Sequence, residues 1–357
     1  MKLFTPGHGF FMDSLIMYGL VSSLPSHVEY YVSGNAGLFE IEIESRDVHD
    51  VANFLASYIE RHKESIIDLL VGRLKLIQKG SQKRLESYLS NYSNSGVFAK
   101  DLEKTYMSPG HAQKEGRRQK GQHVWLPLYP HIGKYFTGEY KYSPSNYGVC
   151  PLCIALATIG FYRGTIKIPY NPPKNASLVV LLSFEGEVSG KEFTNILSHL
   201  ESEAFDQNIK KLRLIMDKIP LNTFIYVLLA NLAKEAILYL YESKAAWTSL
   251  STTFNIVKGQ VAQIRGYEEI FIDKYLSSLV YLTQIDERYK INSLKKLQIV
   301  TENLIKSGEP AAIEALYRFM NTRSPSDLYM TIRQITKATG VVGRSFCEEL
   351  AWLTQLA

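Results

Sequence analysis

The hydrophobic pattern of the chain changes near Gly190, and this change constrains the fold more than any other feature of the sequence. Before this residue, short segments with strand-like alternation are mixed with segments of helical spacing. After it, apolar residues recur almost throughout at the three- and four-residue spacing of amphipathic helices. We therefore predict an α+β protein, in which a mixed α/β N-terminal domain (residues 1–190) is followed by an all-α helical bundle (residues 191–357).

Two segments of the N-terminal domain carry clear strand patterns. Residues 38–44 alternate apolar side chains with glutamates, as expected for a strand with one buried face. Residues 178–184 are apolar at every position except Ser183, which predicts a strand that is covered on both faces. Further strands are predicted at residues 27–32 and 165–170.

Helical spacing predicts two helices before residue 190, over residues 13–24 and from residue 47 to about residue 76. Gly308 followed by Pro310 is typical of one helix ending and the next beginning. The links between the C-terminal helices are short, which favours antiparallel packing. These helices are predicted over residues 191–206, 208–218, 221–243, 267–285, 291–306, 310–322, 326–338 and 344–355.

Residues 106–147, here called the basic segment, form a long irregular insertion in the N-terminal domain. They are rich in glycine and proline and show no sustained apolar period. An insertion of this length is usually functional or disordered. It contains six lysines and arginines against two glutamates, a local excess of +4 in a chain whose net charge is +5.

Aromatic residues alternate with these cations along the basic segment. Cations neutralise phosphates and aromatic rings stack on bases, so the combination predicts a nucleic-acid contact. A solvated basic loop whose rings pack onto the domain is the alternative. The candidate nucleic-acid-binding residues are Lys114, Arg117, Arg118, Lys120, His123 and Lys134.

Cys150 and Cys153 are separated by two residues, the spacing of half a tetrahedral zinc site. Two of His111, His123 and His131 can complete such a site, although they lack the usual close spacing. The alternative is a pair of cysteines that packs in the interior without a metal. No cofactor is therefore assigned from the residues alone, and zinc is the candidate.

The sequence shows no G-x-S-x-G, no H-E-x-x-H and no glycine-rich dinucleotide motif, so we predict that the protein is not an enzyme. One alternative is a metal-dependent nuclease that uses the adjacent His49 and Asp50, a site that needs further ligands converging on the metal. Another is a structural scaffold whose basic segment binds an acidic protein partner.

The longest apolar stretches, residues 152–162 and 223–233, fall short of the roughly 20 residues that a membrane-spanning helix needs. Three cysteines are too few for a disulfide scaffold. We therefore expect a cytoplasmic protein that does not engage a membrane.

Two segments, residues 10–20 and residues 147–160 with the cysteine pair, carry a family resemblance. Together with the basic segment between them, they resemble the large subunit of archaeal type I-A CRISPR effector complexes (Cascade). The length of the chain and its mixed front and helical back also fit this family.

The resemblance implies a non-catalytic subunit that helps to recognise the protospacer-adjacent motif, contacts target DNA and helps to recruit the helicase-nuclease. The implied partners are the guide RNA–protein complex with its backbone and small subunits, the target DNA and the helicase-nuclease. Many members of the family carry a zinc-binding pair of knuckles, of which this chain shows only Cys150 and Cys153.

Overall fold

The computed structural model describes residues 1–44, 46–112, 122–123, 128, 130, 148–169, 176–255, 263–289 and 292–339. The chain divides into two compact units: Met1–Leu197 with Lys244–Glu269, and Ser198–Ser243 with Ile270–Ala357. The chain therefore crosses between the units three times, at residues 197, 243 and 269, rather than once near residue 190.

The described strands are β1 (Lys2–Phe4), β2 (Tyr30–Asn35), β3 (Leu38–Ile43), β4 (Gln122–His123), β5 (Gly148–Val149), β6 (Thr165–Pro169), β7 (Ala176–Ser189), β8 (Lys244–Asn255) and β9 (Gln263–Phe271). Seven of them form one sheet in the order β1-β3-β2-β7-β8-β9, with β6 also paired to β7. β4 and β5 form a separate two-stranded pair.

The described helices are α1 (Phe10–Val21), α2 (Val48–Ile67), α3 (Lys79–Tyr92), α4 (Ser95–Tyr106), α5 (Pro151–Gly164), α6 (Gly190–Leu200), α7 (Glu203–Leu212), α8 (Leu221–Ala230), α9 (Lys234–Glu242), α10 (Asp273–Tyr289), α11 (Ser293–Ser307), α12 (Pro310–Thr322) and α13 (Pro325–Thr339). The predicted α+β class is confirmed by this combination of helices with a seven-stranded sheet.

The long strand β7 organises the sheet. One of its edges pairs antiparallel with β8 from Ala176 to Glu187. Its other edge is shared, because β6 pairs with one end of β7 and β2 pairs with the other, both antiparallel. The strand predicted over residues 178–184 lies inside β7, and each of its side chains is buried. The prediction of a strand covered on both faces is therefore confirmed.

The predicted all-α character of residues 191–357 is wrong for β8 and β9. The interior of β8 is rich in serine and threonine, so it lacks the apolar alternation that marks a strand. The Ser249 and Ser251 hydroxyls satisfy each other at 2.9 Å inside the protein. The long ladder with β7, rather than the side-chain pattern, accounts for this strand.

The predicted helix over residues 221–243 is two helices, α8 and α9, which meet at 112°. At the break, side-chain amides replace backbone N–H groups as hydrogen-bond donors. The Asn231 amide donates to the Val227 carbonyl at 2.8 Å, and the Gln298 amide donates to the Ala230 carbonyl at 2.9 Å. Because these bonds satisfy carbonyls at the end of α8, the helix can stop there at little cost.

Other predicted helices differ mainly at their ends. The helix predicted from residue 47 to about residue 76 is α2 followed by a π-helical turn, Asp68–Arg73. Residues 310–322 form α12 as predicted, after Gly308 ends α11 in the left-handed conformation with φ of 71°. The helix predicted over residues 344–355 lies outside the described residues.

Helices α1 and α5 pack against each other at backbone distance. A side chain at Gly19 of α1 would overlap the Leu156 carbonyl of α5, and one at Gly160 of α5 would overlap the Leu15 carbonyl of α1. α1 is also anchored to the sheet, since the Tyr18 hydroxyl donates to a β7 carbonyl at 2.7 Å. The two segments that carry the family resemblance thus meet in one buried helix pair.

The buried carboxylate of Asp13 binds the backbone just before α1. Asp13 accepts hydrogen bonds from the backbone N–H groups of Gly7 and Gly9 at 2.8 and 2.7 Å. Burial raises the pKa of this carboxyl to about 6, although the backbone donors act in the opposite direction. The segment before α1 is therefore tied to the helix by an ionisable group.

Within the described residues, no single helix is both long enough and apolar enough to cross a membrane, and the bent pair α8 and α9 meets this condition only when the two are taken together.

Candidate metal centre

The cysteine pair lies at the N-terminus of α5. Cys150 is the N-cap residue, and its Sγ accepts the backbone N–H of Cys153 at 3.4 Å. Pro151 occupies the first turn, where a missing N–H costs nothing. The partial positive charge at a helix N-terminus favours the thiolate form of a cysteine, which is the form that binds metals.

A third donor joins the two cysteines. The Sγ atoms of Cys150 and Cys153 and an imidazole nitrogen of His111 all lie within 4.8 Å of one another. His111 follows α4, and its neighbour Ala112 donates a backbone hydrogen bond to the Pro6 carbonyl at 2.9 Å. Among the described residues, this is the one group of three or more His, Cys, Asp or Glu side chains with such geometry.

The geometry of this group fits zinc. Two thiolates and an imidazole are typical zinc ligands, and an ideal tetrahedron with Zn–S bonds of about 2.3 Å separates two sulfurs by about 3.8 Å. The observed Sγ–Sγ distance between Cys150 and Cys153 is 3.4 Å. Both cysteines are free thiols rather than a disulfide. A tetrahedral zinc ion at these three ligands requires the two sulfurs to move slightly apart and a fourth ligand to complete the site.

Tyr106, the last residue of α4, supports the cysteines from the interior. It is fully buried, and its hydroxyl donates to Cys153 Sγ at 3.1 Å. Burial raises the pKa of Tyr106 well above its ordinary value, and the neighbouring thiolates act in the same direction. The phenol therefore keeps its proton and remains a donor to the sulfur, as the outer partners of metal ligands commonly do.

Only part of this cluster could be predicted from the sequence. His111, His123 and His131 were equal candidates for the remaining ligands, and Tyr106 was one of the rings of the basic segment. The structure brings in His111 and buries Tyr106. Tyr106 lies close to His111 in sequence, and this was the one sequence signal that linked Tyr106 to the cluster.

The cluster also joins the two ends of the basic segment. His111 lies near its beginning, while β5 at its end leads directly into Cys150. β5 pairs with β4, and this pairing places His123 opposite Gly148. A metal held here would therefore fix the base of the segment whose charge predicts nucleic-acid binding.

The predicted nucleic-acid contacts stay predictions. Lys114, Arg117, Arg118, Lys120 and Lys134 lie outside the described residues, as does the candidate ligand His131. Only the backbone position of His123, in β4, is described.

The His49–Asp50 pair has the environment of an ordinary helix start. Asp47 caps α2 by accepting the Asp50 N–H at 2.8 Å, and the Asp50 carboxylate lies 3.9 Å from Arg46. Across the part of the chain that the structure describes, no third His, Cys or carboxylate joins His49 and Asp50 in a metal-binding group. The further ligands that a nuclease centre needs do not converge there among these residues.

Comparison of the sequence with known families defines the class of this protein. The chain belongs to a CRISPR-associated family, and the resemblance to Cascade large subunits is confirmed. The matching family model is described as CRISPR-associated protein (Cas_Csa4) and covers residues 1–354.

A curated relative is the CRISPR system associated protein Cas8 of Thermoproteus tenax. It is 27% identical over 192 residues, which cover 46% of this chain and 52% of the relative. The chain thus spans about half the length of this relative.

Proposed function

We propose that this protein is the non-catalytic large subunit of a type I-A RNA-guided surveillance complex. It binds target DNA, helps to recognise the protospacer-adjacent motif and helps to recruit the helicase-nuclease. The match to the CRISPR-associated family along residues 1–354 carries this proposal. The charge of the basic segment supports the DNA-binding part of it.

In this proposal, base pairing with the guide RNA selects the target sequence, while the protein contacts a short duplex motif and the phosphate backbone. Its partners are the backbone and small subunits, the guide RNA, the target DNA and the helicase-nuclease. The complex acts in the cytoplasm, where foreign DNA is accessible to it.

The proposal includes a structural zinc ion held by His111, Cys150 and Cys153, with the Tyr106 hydroxyl supporting Cys153. When bound, the ion supplies a cross-link between the end of α4 and the start of α5. Cys150 is held by the N-cap bond, and an imidazole nitrogen of His111 lies within 4.8 Å of both sulfurs. The protein residues thereby bring the two ends of the basic segment together.

The DNA-binding role is tested in the reconstituted complex by reversing Lys114, Arg117, Arg118 and Lys120 to glutamate. Loss of four phosphate contacts should reduce target binding and lower the magnitude of the salt slope, d log K/d log [salt], by about 3 to 4. Reversal of four cations in ion pairs, Lys2, Lys63, Arg73 and Lys210, is the matched control. Equal effects of the two variants, or unchanged binding, would remove the basic segment from the proposal.

Three further measurements test the other parts of the proposal. The protein purified from native cells should carry a small guide RNA and several protein subunits. Metal-dependent cleavage of labelled DNA by the chain, lost on His49→Ala, would contradict the non-catalytic assignment.

Elemental analysis should find about one zinc per chain in the wild type and none in Cys150→Ser/Cys153→Ser. A wild type that binds neither zinc nor cobalt would show that the cysteines only pack.

A further inference from the structure

The two cysteines at the start of α5 lie side by side but differ in exposure. Their Sγ atoms are 3.4 Å apart. Cys150, the N-cap residue, is half-buried, whereas Cys153 in the first turn is fully buried. A reagent in solution can therefore reach the sulfur of Cys150 but not the sulfur of Cys153.

The half-buried sulfur lies where the helix favours its reactive form. The thiolate is the form that attacks a disulfide. Cys150 Sγ accepts the backbone N–H of Cys153, and the partial positive charge at the N-terminus of α5 also favours a thiolate there. Of the two cysteines, Cys150 is therefore the one that can begin a thiol–disulfide exchange.

The buried sulfur is placed to complete such an exchange. The Tyr106 hydroxyl donates to Cys153 Sγ at 3.1 Å, a hydrogen bond that favours the thiolate of Cys153 as well. The S–S bond of a disulfide is about 2.05 Å long, so the two sulfurs must approach each other by about 1.4 Å from their observed separation of 3.4 Å. Small rotations about the two Cα–Cβ bonds bring them together.

Resting on the proposed function, we propose that Cys150 and Cys153 form a redox switch that a low-molecular-weight disulfide oxidises and a dithiol reduces. The Cys150 thiolate attacks one sulfur of the external disulfide, RS–SR, whose S–S bond breaks as RS⁻ leaves and takes up a proton. Cys153 then loses its proton to solvent, attacks Cys150 Sγ in the mixed disulfide and displaces the second RS⁻, which is protonated in turn. Two protein thiols become one disulfide, and RS–SR is reduced to two RSH.

Oxidation removes the ligands that join the two ends of the basic segment. Metal binding needs thiolates, and a disulfide offers none. His111 is then the one remaining member of the group of three, so the proposed cross-link between the end of α4 and the start of α5 is lost. We expect the oxidised protein to bind target DNA more weakly, because the base of the basic segment is no longer fixed.

The first test follows the two sulfurs directly. Cys347→Ser removes the third cysteine of the sequence, so that Cys150 and Cys153 are the remaining thiols of the full chain. Oxidised glutathione should lower the intact mass of this protein by two hydrogens and release its zinc to a chromogenic chelator, and dithiothreitol should restore the mass. An unchanged mass after prolonged exposure would overturn the switch.

Single variants test the order of attack. In the same background, Cys153→Ser should accumulate one glutathione on Cys150, because the second step is blocked. Cys150→Ser should react about tenfold more slowly or not at all, because its remaining sulfur is buried. Equal rates of glutathione addition to the two variants would overturn the assigned roles.

The reconstituted complex tests the consequence for DNA. Oxidation should weaken target binding by about threefold or more, and dithiothreitol should reverse the loss. Cys150→Ser/Cys153→Ser is the matched control, whose binding should not respond to the oxidant. If the pair oxidises while target binding is unchanged, the switch fails and the proposed function stands; if the native protein neither assembles with a guide RNA nor binds target DNA when reduced, the proposed function fails.

Discussion

The backbone contact between α1 and α5 predicts a large and specific effect of one methyl group. In Gly160→Ala, the new Cβ would overlap the Leu15 carbonyl oxygen and lie 3.0 Å from the Gly19 nitrogen. These atoms belong to the backbone of α1, so no side-chain rotation can relieve the overlap. The two helices must therefore separate, although α1 is anchored to β7 by the Tyr18 hydroxyl.

The expected change in the free energy of unfolding follows from two opposing effects. Overpacking a core typically costs about 1–3 kcal/mol, and rigid backbone neighbours place this case at the upper end. Alanine is favoured over glycine in a helix by up to about 1 kcal/mol. We therefore expect Gly160→Ala to lower the free energy of unfolding by about 2 kcal/mol.

Gly80→Ala in α3 is the matched control, because nothing lies within 4 Å of its added Cβ. It should raise the free energy of unfolding by up to about 1 kcal/mol. Denaturant unfolding followed by far-UV circular dichroism measures both variants. Gly160→Ala as stable as Gly80→Ala would refute the close packing of α1 and α5. The double variant Gly19→Ala/Gly160→Ala should cost less than the sum of its parts, since both changes separate the same helices.

Two further predictions concern ionisable groups. Tyr106→Phe should weaken metal binding by about tenfold and shift the thiolate-to-metal absorption of the cobalt-substituted protein, because Cys153 loses its donor; an unchanged spectrum and affinity would contradict a supporting role for Tyr106. The carboxyl of Asp13 has its pKa raised to about 6 from 3.8, so its contribution to stability is fully present below 3.8 and is lost as the pH rises through about 6. The shift corresponds to about 3 kcal/mol of stability. Asp13→Asn should therefore flatten the pH dependence of the free energy of unfolding between about pH 4 and pH 6. A wild type whose stability does not change with pH in this range would refute the prediction.

Much of the fold could be predicted because its signals are local. The buried strand within β7 follows from an unbroken apolar run, and α12 follows from the glycine and proline at its start. β8 escaped prediction because its interior is rich in serine and threonine, and the Ser249 and Ser251 hydroxyls pair with each other only within the folded sheet. The break at Asn231 also depended partly on Gln298, a residue distant in sequence.

For the candidate sites, the sequence by itself determined the chemistry that is available. The spacing of Cys150 and Cys153 indicates metal-binding thiols, and the charge of the basic segment indicates a polyanion partner. Only the tertiary structure decided that His111 joins the cysteines and that Arg163 lies close to His62. The physical reason is that ligand geometry and local fields depend on distances through space, which are set by how α2, α4, α5 and β6 pack.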